Sequence, residues 1–137
     1  MKDRLALLAA ALWWGSLTTV GFLVVPMLFA NLATPATAGA MAAKLFSAQT
    51  WVTLGCAFLL IIHIRTTAEG ALEGKAQTDL MLVVAGALLA LLVEYAVAPR
   101  IVARENLKLW HSVGTGMYAV QWLCATALIW RKGRTPA

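Results

Sequence analysis

Charge is what this sequence has least of. Asp, Glu, Lys and Arg make up 12% of its 137 residues, about half of what an ordinary soluble domain carries. Against that stand 61% apolar residues and a mean hydropathy of +0.79. Too few polar side chains remain to coat a soluble surface, so a soluble enzyme of this size is all but excluded. A disordered chain is excluded from the other direction, since it needs low hydrophobicity and high net charge. Cysteine is scarce: Cys56 and Cys124 both lie inside apolar segments, with no CxxC and no zinc-ligand spacing. A Ser-His-Asp set, a phosphate loop, HExxH and paired catalytic carboxylates are all missing, so no enzymatic activity and no cofactor are expected. The apolar-polar alternation of membrane β-strands is absent too, while Ala and Leu are plentiful.

What is there is a series of long apolar runs. A bilayer-crossing helix takes about 20 residues, and four such segments can be drawn, at about 5–30, 36–64, 79–98 and 109–130. In hydrocarbon every backbone group has to be satisfied within its own segment, so each run is read as a helix. The expected fold is all-α, a polytopic four-helix transmembrane bundle forming one domain. Met1-Lys2-Asp3-Arg4 followed by an apolar run has the outline of a signal peptide, but the run continues to Ala30, too long for one. Ala36–Lys44 is rich in Ala and Gly and is assigned partly to the interface. Arg65–Thr78, with Glu69 and Glu73, reads as a polar connection, and Arg100–Lys108 as a shorter charged one. Pro99 is taken to end the third span.

The net charge of +5 is carried at the ends of the apolar runs, without a basic stripe interleaved with aromatics, so nucleic acid is not an expected partner. Instead the basic residues orient the chain. Lys2, Arg4, Arg65, Lys75, Arg131, Lys132 and Arg134 fall on one side, and Lys44, Arg100, Arg104 and Lys108 on the other. The richer side is expected to be cytoplasmic, with both termini inside. Trp110 and Trp130 sit at opposite ends of the fourth span as interfacial anchors, whereas Trp13, Trp14 and Trp51 are read as packing residues. A weak internal repeat relates Val24-Val25-Pro26 to Val97-Ala98-Pro99, and Lys44-Leu45-Phe46 to Lys108-Leu109-Trp110. It suggests two hairpins related about the membrane normal, a layout some transporters use. Chance and shared interface composition explain the match equally well.

Ionisable and polar residues inside the spans are the functional candidates, because each is costly in hydrocarbon. Glu94 follows fourteen uncharged residues and shares a helix face with Gly86, Ala90 and Ala98. Small residues mark close helix approach, so Glu94 is expected to point into the bundle. It is either a proton- or cation-binding carboxylate, or a structural group, a buried pair or a cap-like hydrogen-bond acceptor, that fixes helix register. His111, Thr115, Tyr118 and Trp122 recur on one face of the fourth span, with Gln121 beside them. That face either lines a polar crevice or supplies interhelical hydrogen bonds. Lys44 and Gln49 fall near the same boundary as Glu94 and His111. Lys44 can pair with Glu94, or extend its ammonium group to the headgroups. The proposed ligand- or ion-binding set is therefore Glu94, His111, Tyr118, Lys44 and Gln49.

Other chemistries fit less well. His63 falls at the inner end of the second span, roughly 25 Å in depth from His111 at 1.5 Å per residue, so one chain cannot hold a haem between them. A His111 ligand completed by another chain stays open. Cys56 and Cys124 lie at similar depth and could bind a soft metal such as Cu(I), or form a disulfide, though no Met or His cluster accompanies them.

Trp14-Gly15-Ser16, Pro26-Met27-Leu28-Phe29, Ala38-Gly39, Leu45-Phe46, Pro99 and His111-Ser112 together resemble the bacterial branch of the transmembrane protein 205-like family. That resemblance implies a four-helix inner-membrane protein with an unassigned role, and it carries over no catalytic or binding residue. Three functions compete. The first is binding or translocation of a proton, cation or small solute through the outer-half cluster, with a homo-oligomer needed for a pore. The second is an accessory or scaffolding subunit of a larger membrane complex. The third is a redox or soft-metal protein. In each, the bilayer is the standing partner, and the location is the bacterial inner membrane.

Overall fold

The computed structural model describes residues 1–68, 70 and 72–134; Glu69 of the polar connection lies outside the described residues. Four helices are long and apolar enough to cross a membrane: α1 (Lys2–Asn31), α2 (Pro35–Thr67), α3 (Gly74–Val102) and α4 (Leu107–Gly133). No strand occurs among the described residues. Helices adjacent in sequence pack side by side, and α4 returns to pack on α1, which closes an up-down-up-down bundle. Both termini and the connection between α2 and α3 therefore share one end, called here the terminal end. The connections α1–α2 and α3–α4 form the distal end.

Each helix runs past its apolar stretch, because polar side chains at its ends reach water without breaking the backbone ladder. Arg65–Thr67 close α2 and Gly74–Thr78 open α3, so the expected connection shrinks to the residues between Thr67 and Gly74. Ala36–Lys44 is continuous with the rest of α2 and buries Ala38 and Ala42. Thr34 caps that helix, its hydroxyl accepting from the Thr37 N–H at 3.1 Å with Pro35 next in line. Asn106 caps α4 from a left-handed conformation that Asn tolerates better than most residues, its Oδ1 accepting from the Leu109 N–H.

Neither Pro26 nor Pro99 ends its helix. Each follows a single π-helical turn, Val20–Val24 in α1 and Val93–Val97 in α3, and the helix continues to Asn31 and Val102. A proline ring clashes with the carbonyl four residues earlier and offers it no N–H. Widening the preceding turn is one way a helix absorbs that defect. The two segments matched by the internal repeat thus share a backbone feature as well as a proline.

The core is concentrated toward the terminal end. Ala6, Ala9, Ala10, Trp13 and Leu17 of α1 pack with Cys56, Ala57, Leu60 and Ile64 of α2, Val83 of α3, and Ala125 and Leu128 of α4. Trp13 is 0% exposed, and its indole fills the space over Gly86 that any side chain there would need. Trp14 is half-buried and bonded across the bundle, its Nε1 donating to Thr126 Oγ1 at 3.0 Å. Trp51, by contrast, is 65% exposed and is not a packing residue. The buried face of α2 is Gln49, Thr50, Thr53, Cys56, Ala57 and Leu60, and Trp51 lies off that arc, where an intact bilayer would meet it.

Candidate functional site

A string of polar side chains crosses the middle and distal part of the bundle. It consists of single hydroxyls and amides that bond from helix to helix. Ser47 Oγ of α2 donates to Glu94 Oε1 of α3 at 2.6 Å. Gln49 Nε2 of α2 donates to Ser16 Oγ of α1 at 2.9 Å. Thr53 Oγ1 of α2 donates to Gln121 Oε1 of α4 at 3.3 Å. Tyr118 OH of α4 donates to the Leu17 carbonyl of α1 at 2.6 Å, and Trp122 Nε1 donates to Thr18 Oγ1 at 2.9 Å. Gln49 and Gln121 are 5% and 3% exposed, so these bonds are the amides' substitute for water. Every helix contributes, and every seam between adjacent helices except α3–α4 has at least one such link in this region.

Glu94 sits inside the π turn of α3, and its carboxylate is half-buried. The corresponding second residue of the α1 turn is Gly21. A Cβ there would stand 2.5 Å from Tyr118 Cε1, so the glycine makes room for the tyrosine ring. The same ring meets Phe46 edge-on, with centroids 5.3 Å apart. One π turn thus carries the carboxylate, and the other seats the aromatic wall beside the polar string.

The bundle loosens at its distal end on one side. Beyond Leu17 no residue of α1 is fully buried, and none of α4 is fully buried before Gln121. After its π turn α1 packs against α2, while the start of α4 packs against the end of α3, where Gly114 meets Val97. The seam between α1 and α4 is therefore tight at Trp14–Thr126 and open above Tyr118.

The proposed residues divide along that line. Glu94, Gln49 and Tyr118 belong to the polar string. Lys44 and His111 are exposed and stand outside it. Among the described residues, neither bonds to Glu94, whose partner is Ser47. The face His111–Thr115–Tyr118–Trp122 is half-buried only from Tyr118 onward, because the departure of α1 uncovers its first two members. His63 and His111 lie at opposite ends of the bundle. Cys56 is buried, Cys124 half-buried, and both thiols are free. Among the described residues no three His, Cys, Asp or Glu side chains converge as metal ligands.

Sequence reasoning missed Ser16, Ser47 and Thr53, since single hydroxyls in apolar helices are too common to stand out. It also missed a polar group at the terminal end. Arg131 Nε donates to Asp79 Oδ1 at 2.7 Å, tying α4 to α3. His63 Nε2 lies 3.5 Å from Asp3 Oδ1, tying α2 to α1. Asp79 did carry a signal: an acid opening one apolar run faces an arginine closing another in an antiparallel pair.

A family model described as "Domain of unknown function (DUF4149)" matches residues 8–108. No curated protein and no solved structure matches the chain.

Proposed function

The chain belongs to the DUF4149 family of domains of unknown function, and from that premise we propose that it is a small integral membrane protein that binds or relays a proton, a cation or a small solute through the polar string around Glu94. One observation carries the proposal. Glu94 lies within a membrane-spanning helix, accepts a single hydrogen bond from Ser47, and meets no cationic side chain within 4.0 Å among the described residues. A bare carboxylate at such depth costs about 2.5–3.5 kcal/mol on insertion scales. A structural ion pair would remove that cost, and so would uptake of a proton or cation. No pairing residue stands beside it.

The roles follow from position. Glu94 takes the charge, and Ser47 orients the carboxylate. The carbonyl oxygen of Gln49 and the hydroxyl of Tyr118 offer neutral oxygens to a ligand, while Lys44 and His111 tune the field at the distal rim. With the positive-inside rule, the distal end faces outward, both termini face the cytoplasm, and a bacterial inner membrane is the setting. Trp13, Leu17, Leu60 and Leu128 fill the terminal half of a single bundle, so through-passage requires rearrangement or a homo-oligomer. The likeness to the transmembrane protein 205-like family belongs to this same reading. A second reading, an accessory subunit of a membrane complex, would set the exposed stripe Trp51, Gly55 and Phe58 of α2 against a partner in place of lipid.

Purified protein in liposomes, with a pH or cation gradient imposed, tests the first reading. Wild type is expected to dissipate the gradient and Glu94→Gln to lose that flux, since glutamine keeps an acceptor for Ser47 but cannot take up the charge. Unchanged flux in the variant would sink the assignment of Glu94. Release of a stoichiometric partner on native extraction would favour the second reading.

A further inference from the structure

We propose that the terminal end of the bundle carries a phosphate-binding site, in the cleft between α2, α3 and α4. The cleft has a volume of about 290 Å³ and is lined by His63, Ile64, Thr67, Lys75, Ala76, Asp79 and Lys132. That volume lies at the small end of ligand pockets, which run about 300–1,000 Å³, and it has room for a phosphate group or a phospholipid headgroup. It lies at the opposite end of the molecule from Glu94, so the two sites stand or fall separately.

The charge arrangement selects an oxyanion. Asp79 is the only carboxylate among the described residues that line the cleft, and it is committed to Arg131 through the 2.7 Å bond to Nε. The same guanidinium donates through Nη2 to the Lys75 carbonyl at 3.4 Å, which locks it between α3 and α4. Lys75 and Lys132 then have no carboxylate within 4.0 Å among the described residues. With Asp79 neutralised by Arg131, Lys75 and Lys132 leave a positive surplus among the described residues that line the cleft.

His63 lines the cleft beside these lysines, its side chain 14% exposed and its Nε2 3.5 Å from Asp3 Oδ1. Lys75 and Ala76 also lie in the first turn of α3, where backbone N–H groups have no acceptor within the helix, and Glu73 provides no side-chain cap. Basic clefts between membrane helices on the cytoplasmic side are suited to anionic headgroups. Inorganic phosphate presents the same oxygens.

The test uses the full chain in neutral detergent. Native mass spectrometry measures retention of phosphatidylglycerol against phosphatidylcholine, and added inorganic phosphate measures competition. Lys75→Gln with Lys132→Gln removes the cleft cations. Lys2→Gln with Arg4→Gln removes the same charge at the same end, outside the cleft. Wild type is expected to retain phosphatidylglycerol selectively, and the cleft pair to weaken it by about fivefold per lysine, with the control pair near wild type. Displacement by inorganic phosphate, or thermal stabilisation by it without lipid retention, would identify free phosphate as a ligand of the same cleft. Equal losses in the two pairs would show surface electrostatics only and overturn the site. Binding of neither phosphate nor phosphatidylglycerol to wild type would overturn it as well.

Discussion

Substituting Gly86 by alanine should destabilise the bundle, although alanine is the better helix former. The added Cβ would meet Trp13, standing 2.5 Å from Cη2 and nearer still to Cζ2. Trp13 cannot yield easily, because it is 0% exposed and packed among the residues of the main core. Overpacking of this kind costs about 1–3 kcal/mol. Alanine's propensity returns about 1 kcal/mol of that, so the net loss should be up to about 2 kcal/mol, and about 1–3 kcal/mol relative to an alanine placed where nothing obstructs it. Gly15→Ala is the internal control, since a Cβ there meets nothing within 4 Å, and it should be neutral or mildly stabilising. Trp13→Phe removes the part of the indole that Gly86 accommodates. In that background Gly86→Ala should cost less, the difference being the coupling energy of the pair. Reversible unfolding of these variants and the wild type in detergent micelles, followed by far-ultraviolet circular dichroism, measures each term. Equal stability of Gly86→Ala and Gly15→Ala, or a Gly86→Ala cost that stays the same in the Trp13→Phe background, would refute the close approach of α1 and α3.

Further substitutions separate the remaining contacts. Gly21→Ala should displace the Tyr118 ring, break its bond to the Leu17 carbonyl, and cost about 1–3 kcal/mol in the same unfolding assay. Arg131→Gln should cost about 3–5 kcal/mol, because it strands the Asp79 carboxylate; Asp79→Asn should cost clearly less. The asymmetry follows from side-chain exposures of 8% for Asp79 and 32% for Arg131, which leave only the arginine able to turn to water. Thr53→Val should lose about 0.6 kcal/mol, and no more than about 1.7 kcal/mol, the range of interhelical hydrogen bonds in lipid. A larger loss would mean that the polar string is cooperative and not a set of separate bonds.

Much of the fold was legible before any coordinates. Hydrocarbon forces each long apolar run into a helix, and short connections force neighbouring runs to pack antiparallel. Helix ends were less legible, because Arg65–Thr67 and Gly74–Thr78 look like loop by polarity yet remain helical in contact with water. Pro99 misled for a related reason: it read as a terminator, but the π turn ahead of it absorbs the lost bond, as another does ahead of Pro26. Of the proposed site, the inward approach of Glu94 could be inferred from the small residues one and two turns away. Its partner could not, since nothing local distinguishes Ser47 from any other serine in a helix.

Composition and hydropathy by themselves determined the solvent, the secondary structure and the number of helices, because the cost of an unpaired backbone group in lipid leaves one solution. They also singled out Glu94, whose isolation among apolar residues is a property of the sequence alone. Which groups face which was decided only by the tertiary structure. Long-range contacts such as Ser47–Glu94, Thr53–Gln121 and Asp79–Arg131 join different helices, and they depend on helix rotation and tilt. Those are set by how Trp13 fits over Gly86 and where the π turns send α1 and α3, and periodicity does not encode them. The same packing leaves Lys44 and His111 outside the polar string and brings Lys75 and Lys132 to one cleft.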